Sequence, residues 1–480
     1  MTQALPWHQL CTLRDDVRSG RLTMDEFAAD LNGARTGEAP DVYREATLFF
    51  DRTFPTYRMK TMAAAVLSRL AGQGGNPVYR LQVAYGGGKT HTLITLLHLA
   101  EQGAALNDHA TVREFVGFAG LSAAPRARVA LLPGDKFDPV EGLIVRGPEG
   151  QMRRVTTLWG ALAYQLAGDA GYARLKQHDE AFTIPGEPVL VDLLRAPQSQ
   201  GLGSLVLIDE AVWYYRGLVN RDPRALGTIK DFFQVLTQAA AKVDRAVIVA
   251  SLIASQIEAG DATGTQCLSA LEDIFQRLAQ PIEPVTRDDV AEILRRRLFA
   301  AVPGDAERQP AVDAMMAAMH SLPLSEQQRN QDAYDAFKDS YPFHPDLINV
   351  LYQKWTQLDT FQRTRGALRL LATALRESDG HDPAPFVGPG ALLRHSEGGG
   401  LSPALNELVE ILGDSPKWLP VLNGELAKAR QLATDLPTLR QREIEQAVVA
   451  TFLHSQPTGS GKRATPQELW ALLAHPTVDR

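Results

Sequence analysis

The segment Val83-Ala-Tyr-Gly-Gly-Gly-Lys89-Thr90 has the composition of a loop that wraps phosphate oxygens. Glycine lets successive backbone N–H groups turn inward around an anion, and Gly86, Gly87 and Gly88 stand directly before Lys89. A helix beginning there adds the partial positive charge of its N-terminus. In that setting Lys89 reaches the β- and γ-phosphates of a nucleoside triphosphate, and the Thr90 hydroxyl ligates Mg²⁺. The pattern G-x-x-x-x-G-K-[ST] is met except at its first position, where Val83 replaces glycine. His91 closes the stretch and is grouped with the phosphate-binding residues, although, like Trp159, it has the character of a packing residue. Thr458-Gly-Ser-Gly-Lys462 looks similar, but Arg463 follows where Ser or Thr is needed and no strand precedes it, so it reads as a loop.

A second constellation is Leu205-Val-Leu-Ile-Asp209-Glu210, an apolar run ending in two acids. In a buried parallel strand the acids fall at the carboxyl end of the sheet, where ligands bind. Asp209 suits the magnesium shell and Glu210 the activation of an attacking water. Ala246-Val-Ile-Val-Ala-Ser251 is another apolar run, ending in a hydroxyl that suits the γ-phosphate or the water. Arg277 precedes the last strand candidate. It could reach a neighbouring subunit's γ-phosphate as an arginine finger, or pair with Asp273 one helical turn back. Arg369, in Arg365-Gly-Ala-Leu-Arg369, suits a phosphate contact from a lid helix or a solvated position. Arg295-Arg-Arg297 is the one basic triplet, and three successive helical positions share no face.

These residues need elements to hold them. Strand patterns cover Val78–Ala84, Arg128–Leu132, Ser204–Ile208, Ala246–Leu252 and Pro281–Val285, separated by helical stretches such as 156–168 and 226–242. Strands alternating with helices predict an α/β fold with a parallel sheet. The helix after Lys89 is apolar nearly all round, so it should be buried. Helices are expected before residue 50, one of them capped by Thr23, and again after residue 287. The expected organisation is an N-terminal helical segment 1–50, a nucleotide-binding core 51–286, a helical lid 287–376, a linker 377–402 and a mainly helical region 403–480. The end after Leu469–Leu473 reads as the front part of a longer protein.

Length and composition bound the rest. With 480 residues, 45% hydrophobic and 22% charged, the chain is globular and too long for one core. A net charge of −7 gives no general pull towards nucleic acid or anionic membrane. Two distant cysteines, Cys11 and Cys267, build neither a metal site nor a disulfide framework. No signal peptide or spanning segment is evident, and the expectation is a cytoplasmic protein.

The order phosphate-loop strand, second strand, Asp-Glu strand, polar-tipped strand, arginine, last strand and helical lid resembles AAA+ ATPases. The chain is more similar still to the large prokaryotic ATPases known as domain of unknown function 499. That resemblance rests on Leu13-Arg-Asp-Asp-Val-Arg-Ser-Gly-Arg-Leu22, Phe54-Pro-Thr, Gly86-Gly-Gly-Lys-Thr-His91, Thr157-Leu-Trp-Gly, Tyr164-Gln-Leu, Ile208-Asp-Glu210 and Ser455-Gln-Pro457. It implies an AAA+-like P-loop NTPase with a five-stranded parallel sheet, ATP and Mg²⁺ as ligands, and self-assembly. It also implies a place in phage-defence islands beside DNA methyltransferases, similar to the large ATPase of bacteriophage exclusion systems. The expected activity is ATP hydrolysis driving a switch or motor in such a complex. The alternatives are an ATP-loaded scaffold with little turnover and a DNA-stimulated translocase. No membrane contact is expected, and a DNA contact is not evident from the residues.

Overall fold

The computed structural model describes residues 4–21, 29–81, 88–252, 261–278, 280–282, 284–355, 358, 363–393, 401–413, 415–435, 441–456 and 463–476. The chain forms two compact units, residues 29–286 and residues 1–28 with 287–480. The expected helix start at Thr23, most of the glycine run and the Thr458–Lys462 loop lie outside the described residues.

Residues 29–286 fold as a mixed α/β unit around a parallel sheet. Its strands are β1 (Val78–Leu81), β2 (Ala127–Pro133), β5 (Gly203–Asp209) and β6 (Ala246–Ser251), with the three-residue β7 (Gln280–Ile282) beside β1. Across the sheet the order is β2-β5-β6-β1-β7, every pair parallel. Every residue of β1, β5 and β6 is buried. Both faces are therefore covered, which is why β5 and β6 read as near-continuous apolar runs rather than alternating ones, while β1 includes the buried Arg80.

The pleat sends successive side chains to opposite faces. Leu205, Leu207, Val247 and Val249 join one core with the helices Tyr57–Leu70 and Lys89–Glu101. Val206, Ile208, Ile248 and Ala250 join the other, with the helices Leu158–Glu180, Ala225–Ala241 and Ala262–Leu278. Residues 29–50 belong to this unit, and the family-like stretch Thr157–Gly160 has a structural role in it. Thr157 caps its helix by accepting from Gly160 N, and its hydroxyl donates to the buried Asp179 at 2.5 Å. A side chain at Gly160 would collide with that carboxylate.

Between β2 and β5 lies an antiparallel hairpin, β3 (Leu143–Arg146) and β4 (Met152–Val155), that the sequence pattern did not suggest. Its strands are only half-covered, so they lack the long apolar run that marks the sheet. The edge strand β2 is closed off by side chains. Gln165 accepts from Leu131 N at 3.0 Å and donates to Leu131 O at 2.8 Å. Arg35 donates to Val129 O at 2.6 Å. An unpaired edge is otherwise a template for pairing with another chain.

The second unit is helical. Its N-terminal segment returns to residues 287–480 through a short antiparallel pairing of Thr12–Leu13 with Phe299–Ala301. Trp7 is fully buried and donates from Nε1 to Asp382, which also pairs with Arg442. Phe386, Val387, Ala391, Leu392 and Leu393, inside the span read as a linker, are core residues here. Among the described residues no helix is long and apolar enough to cross a membrane. Both cysteines are buried free thiols, and burial pushes Cys11 up to about 12 and Cys267 up to about 11.

Arg69, on the helix Tyr57–Leu70, ties the amino end of β6 to that helix. Its guanidinium donates to the carbonyls of Ala246, Gly75, Ala240 and Val243 at 2.5, 2.6, 3.0 and 3.0 Å. Arg69→Met keeps the bulk but strands buried carbonyls, and should cost on the order of 3 kcal/mol. Denaturant unfolding followed by circular dichroism checks this, and a loss under ~0.5 kcal/mol would refute the assignment.

Candidate functional site

The helix Lys89–Glu101 starts at Gly88, whose backbone is left-handed with φ 79° and ψ 18°. That conformation favours glycine, and a side chain there would also press on Val285 at 3.1 Å. The Gly88 carbonyl is taken by Thr92, whose amide and hydroxyl both donate to it, at 2.9 and 2.8 Å. Gly88 has no side chain to cap this helix N-terminus, and a helix N-terminus favours an anion. Lys89 and Thr90 are partly buried on that first turn. Gly86 and Gly87 lie outside the described residues.

His91 turns towards its own unit. Its Nε2 is 3.0 Å from the Thr53 hydroxyl and its ring lies 4.6 Å from that of Phe49. Trp159 is fully buried against Phe182 and Phe232.

Strand register sets the remainder of the site. Leu81 is paired with Ser251, Ser251 with Asp209, and Asp209 with Pro133. The carboxyl ends of β1, β6, β5 and β2 therefore form one row. Ser251 sits between the strand that leads into the glycine run and the strand that ends in the acids. Asp209 and Ser251 are both buried. Among the described residues Asp209 Oδ1 and Ser251 Oγ make no hydrogen bond of ordinary geometry, and buried polar atoms rarely stay unsatisfied.

Burial pushes the Asp209 carboxyl up to about 7, with the charges of Glu210 and Asp135 adding to the rise. The Ser251 hydroxyl and the Lys89 ammonium act in the opposite direction. The reach of Lys89 to Asp209 links the helix start with the acid pair electrostatically. Glu210 is partly buried and, unusually for a residue with a side chain, left-handed at φ 50° and ψ 37°. Such a conformation persists only where the surroundings impose it. Here they do: Glu210 N donates to Ser251 O, and Gly134 N donates to Asp209 O at 2.8 Å. A Cβ on Gly134 would lie 2.4 Å from Glu210 O, so only glycine fits.

Asp135 and Lys136, in the loop after β2, were not among the candidates. Lys136 lies 3.1 Å from Asp135 and 3.5 Å from Asp30. Burial opposes its charge, but the two acids outweigh it and raise its pKa. The signal was available, since Gly134-Asp135-Lys136 follows a strand that points the same way as Asp209.

Hard oxygen donors of this type suit Mg²⁺, which takes one or two protein groups and completes its shell with phosphate and water. The stranded Asp209 oxygen, with the Thr90 hydroxyl available on the helix start, fits such an ion. Among the described residues no group of three or more His, Cys, Asp or Glu forms a metal cage.

The models of the DUF499 N-terminal domain and the DUF499 second domain match residues 7–285 and 285–389. This chain belongs to the DUF499 family. Comparison with curated proteins gave no match. The junction of the two DUF499 domains, at residue 285, coincides with the boundary between the two compact units.

The other candidates stand elsewhere in this DUF499 chain. Arg277 is on the helix Ala262–Leu278, and its side chain lies outside the described residues. Arg369 belongs to the second unit, on the helix Arg363–Ser378, where it pairs with the buried Glu407. Thr373 donates to the same carboxylate at 3.1 Å. In the basic triplet, Arg295 pairs with Glu292 and donates to the carbonyls of Asp339 and Tyr341, while Arg297 is buried.

The position of Asp209 makes stability depend on pH. The folded chain holds the Asp209 proton more tightly than the unfolded chain. The stability this gives is present below about pH 4 and lost as pH rises towards 7. With chelator and without nucleotide, Asp209→Asn should equal the unsubstituted chain near pH 4. It should exceed it by about 2–4 kcal/mol at pH 8. Denaturant midpoints across that range measure it, and a pH-independent difference would show that Asp209 bears its charge without penalty.

Proposed function

We propose that this DUF499 chain binds ATP with Mg²⁺ on the loop before Lys89 and hydrolyses it, as an AAA+-like P-loop ATPase. The carrying observation is the row Leu81–Ser251–Asp209, with Lys89 close enough to shift the Asp209 carboxyl. Ligands of open parallel sheets sit outside the carboxyl ends of the strands.

In this reading Lys89 neutralises the β- and γ-phosphates, and N–H groups at the start of its helix hold phosphate oxygens. Thr90 and Asp209 hold Mg²⁺, which when bound screens the charge developing on the phosphates. Asp209 then escapes its burial penalty and stays ionised. Glu210 orients a water and accepts its proton as the water oxygen attacks the γ-phosphorus. The bond to the β–γ bridging oxygen breaks, giving ADP and phosphate. Ser251 donates from between the two strands to the γ-phosphate or the water. The wider role, a switch or motor in a prokaryotic anti-phage complex with a DNA methyltransferase or other defence proteins, is supported by resemblance alone. The same holds for self-assembly and for Arg277 as the finger.

Lys89→Ala should weaken ATP binding at least a hundredfold in a fluorescent-nucleotide titration. Glu210→Gln should keep ATP affinity within about threefold and slow phosphate release by roughly 10²–10⁴. Unchanged affinity in the first variant would remove ATP from this loop. Normal turnover in the second would move the base elsewhere.

Arg277→Ala should bind ATP normally and hydrolyse it slowly, by up to roughly 10³. Mixed with Glu210→Gln it should regain activity, because one complete site then forms from two inactive subunits. Co-assembly confirmed by mass measurement without any recovery would rule out action in trans.

A further inference from the structure

A cavity of about 720 Å³ opens at the opposite end of the sheet from the Asp209 row, in the unit formed by residues 29–286. Its wall includes the first residues of β2, Ala127 to Val129, and the last turn of the helix that starts at Lys89. That helix has 13 residues and the cavity meets it only from Leu97 onward, which at 1.5 Å per residue is about 12 Å along the axis from Lys89. The two places are distinct.

Five guanidinium groups line the cavity: Arg35, Arg44, Arg126, Arg128 and Arg146. Two are matched. Arg35 pairs with Glu101 at 3.0 Å, and Arg44 pairs with Asp41 and Glu45 at 2.5 and 3.3 Å. The other three have no carboxylate partner among the described residues. Arg128 donates only to neutral acceptors, Pro148 O at 3.1 Å and Gln200 Oε1 at 2.9 Å. Five guanidinium groups against the three carboxylates of Glu101, Asp41 and Glu45 leave a local balance of about two positive charges in excess, in a chain whose net charge is −7. The closing helix end carries roughly half a negative charge, too little to cancel them. Burial lowers the pKa of Arg35, and although Glu101 opposes this, Arg146 and Arg128 lower it further, so the cluster repels itself.

Like charges gathered in a concave, partly buried wall focus their field on whatever enters. Guanidinium groups match phosphate oxygens in planar, two-point fashion. Three unmatched guanidinium groups suit a diphosphate or triphosphate. The volume lies within the ordinary range for small-molecule sites and leaves room for an organic group beyond the phosphates. We propose that this cavity is a second anion site, which binds a small polyphosphorylated molecule of the nucleotide class through Arg126, Arg128 and Arg146. The proposal does not depend on ATP binding at Lys89.

The test uses the full 480-residue chain carrying Lys89→Ala, in chelator, titrated calorimetrically with inorganic tripolyphosphate and separately with ADP. One equivalent of either should bind, with affinity falling as salt rises. Adding Arg126→Gln and Arg146→Gln should weaken it at least tenfold while the circular dichroism melt stays unchanged. Both side chains are exposed, and neither donates to the fold among the described residues. If the double change disturbs folding, Arg146→Gln alone should still weaken binding about threefold or more. ADP binding much better than tripolyphosphate identifies a nucleotide, and equal binding identifies the phosphates alone as the recognised part; either supports the site. Loss of all binding with Lys89→Ala, or affinity indifferent to the arginine changes, would overturn it. So would binding of a 20-nucleotide single strand without binding of either small anion, which would make the cavity part of a nucleic-acid surface.

Discussion

The burial of one carboxyl group, that of Asp209, governs the candidate site. A carboxylate at the end of a fully buried strand loses its water and gains charge only if something replaces the water. Glu210 and Asp135 make this harder, whereas Ser251 and Lys89 make it easier. The result is a group poised near neutrality, whose protonation answers to whatever cation or phosphate arrives. An empty, apolar strand end would have been cheaper to fold. The polar end has a cost in stability, and perturbed carboxyls of this type gather where ligands bind.

Holding that carboxyl in place requires backbone precision that side chains alone do not supply. The strand ends at a left-handed Glu210, and the turn is pinned from two sides, by Ser251 O and by Gly134 N. Gly134 must be glycine because the carbonyl of Glu210 occupies the space of its Cβ. A left-handed glycine, Gly88, likewise begins the helix that carries Lys89 and Thr90. Three strands, two glycines and one strained residue thus converge on one edge of the sheet. The polar chemistry stands on a core packed from both faces.

The arginines illustrate how differently one residue type is used. Arg69 and Arg35 satisfy backbone carbonyls at the sheet's amino end and edge. Arg369 and Arg442 neutralise the buried Glu407 and Asp382 of the helical unit. Arg295, the first of the conspicuous triplet, is absorbed by Glu292 and two carbonyls. Arg126, Arg128 and Arg146 are left facing a cavity without a carboxylate partner among the described residues; the first two lie at the start of β2 and the third at the end of β3.

The sequence by itself determined the strand and helix alternation, the strand ends at Asp209 and Ser251, and the helix start at Lys89. Both faces of the sheet are buried, so β5 and β6 appear as near-continuous apolar runs, and a glycine run follows β1. The half-covered hairpin at Leu143–Val155 left no such run and was missed. Tertiary structure alone decided that Ser251 stands between Leu81 and Asp209, because register depends on neighbours far away in the chain. It also decided that the span 377–402 contributes core, and that the first 28 residues fold with residues beyond 286. It gathered Arg35, Arg44, Arg126, Arg128 and Arg146 around one cavity from positions spread over more than a hundred residues. Local spacing reports a residue's own element, because propensity and periodicity act over a few residues. Charge clusters and strand register arise only when the chain closes on itself.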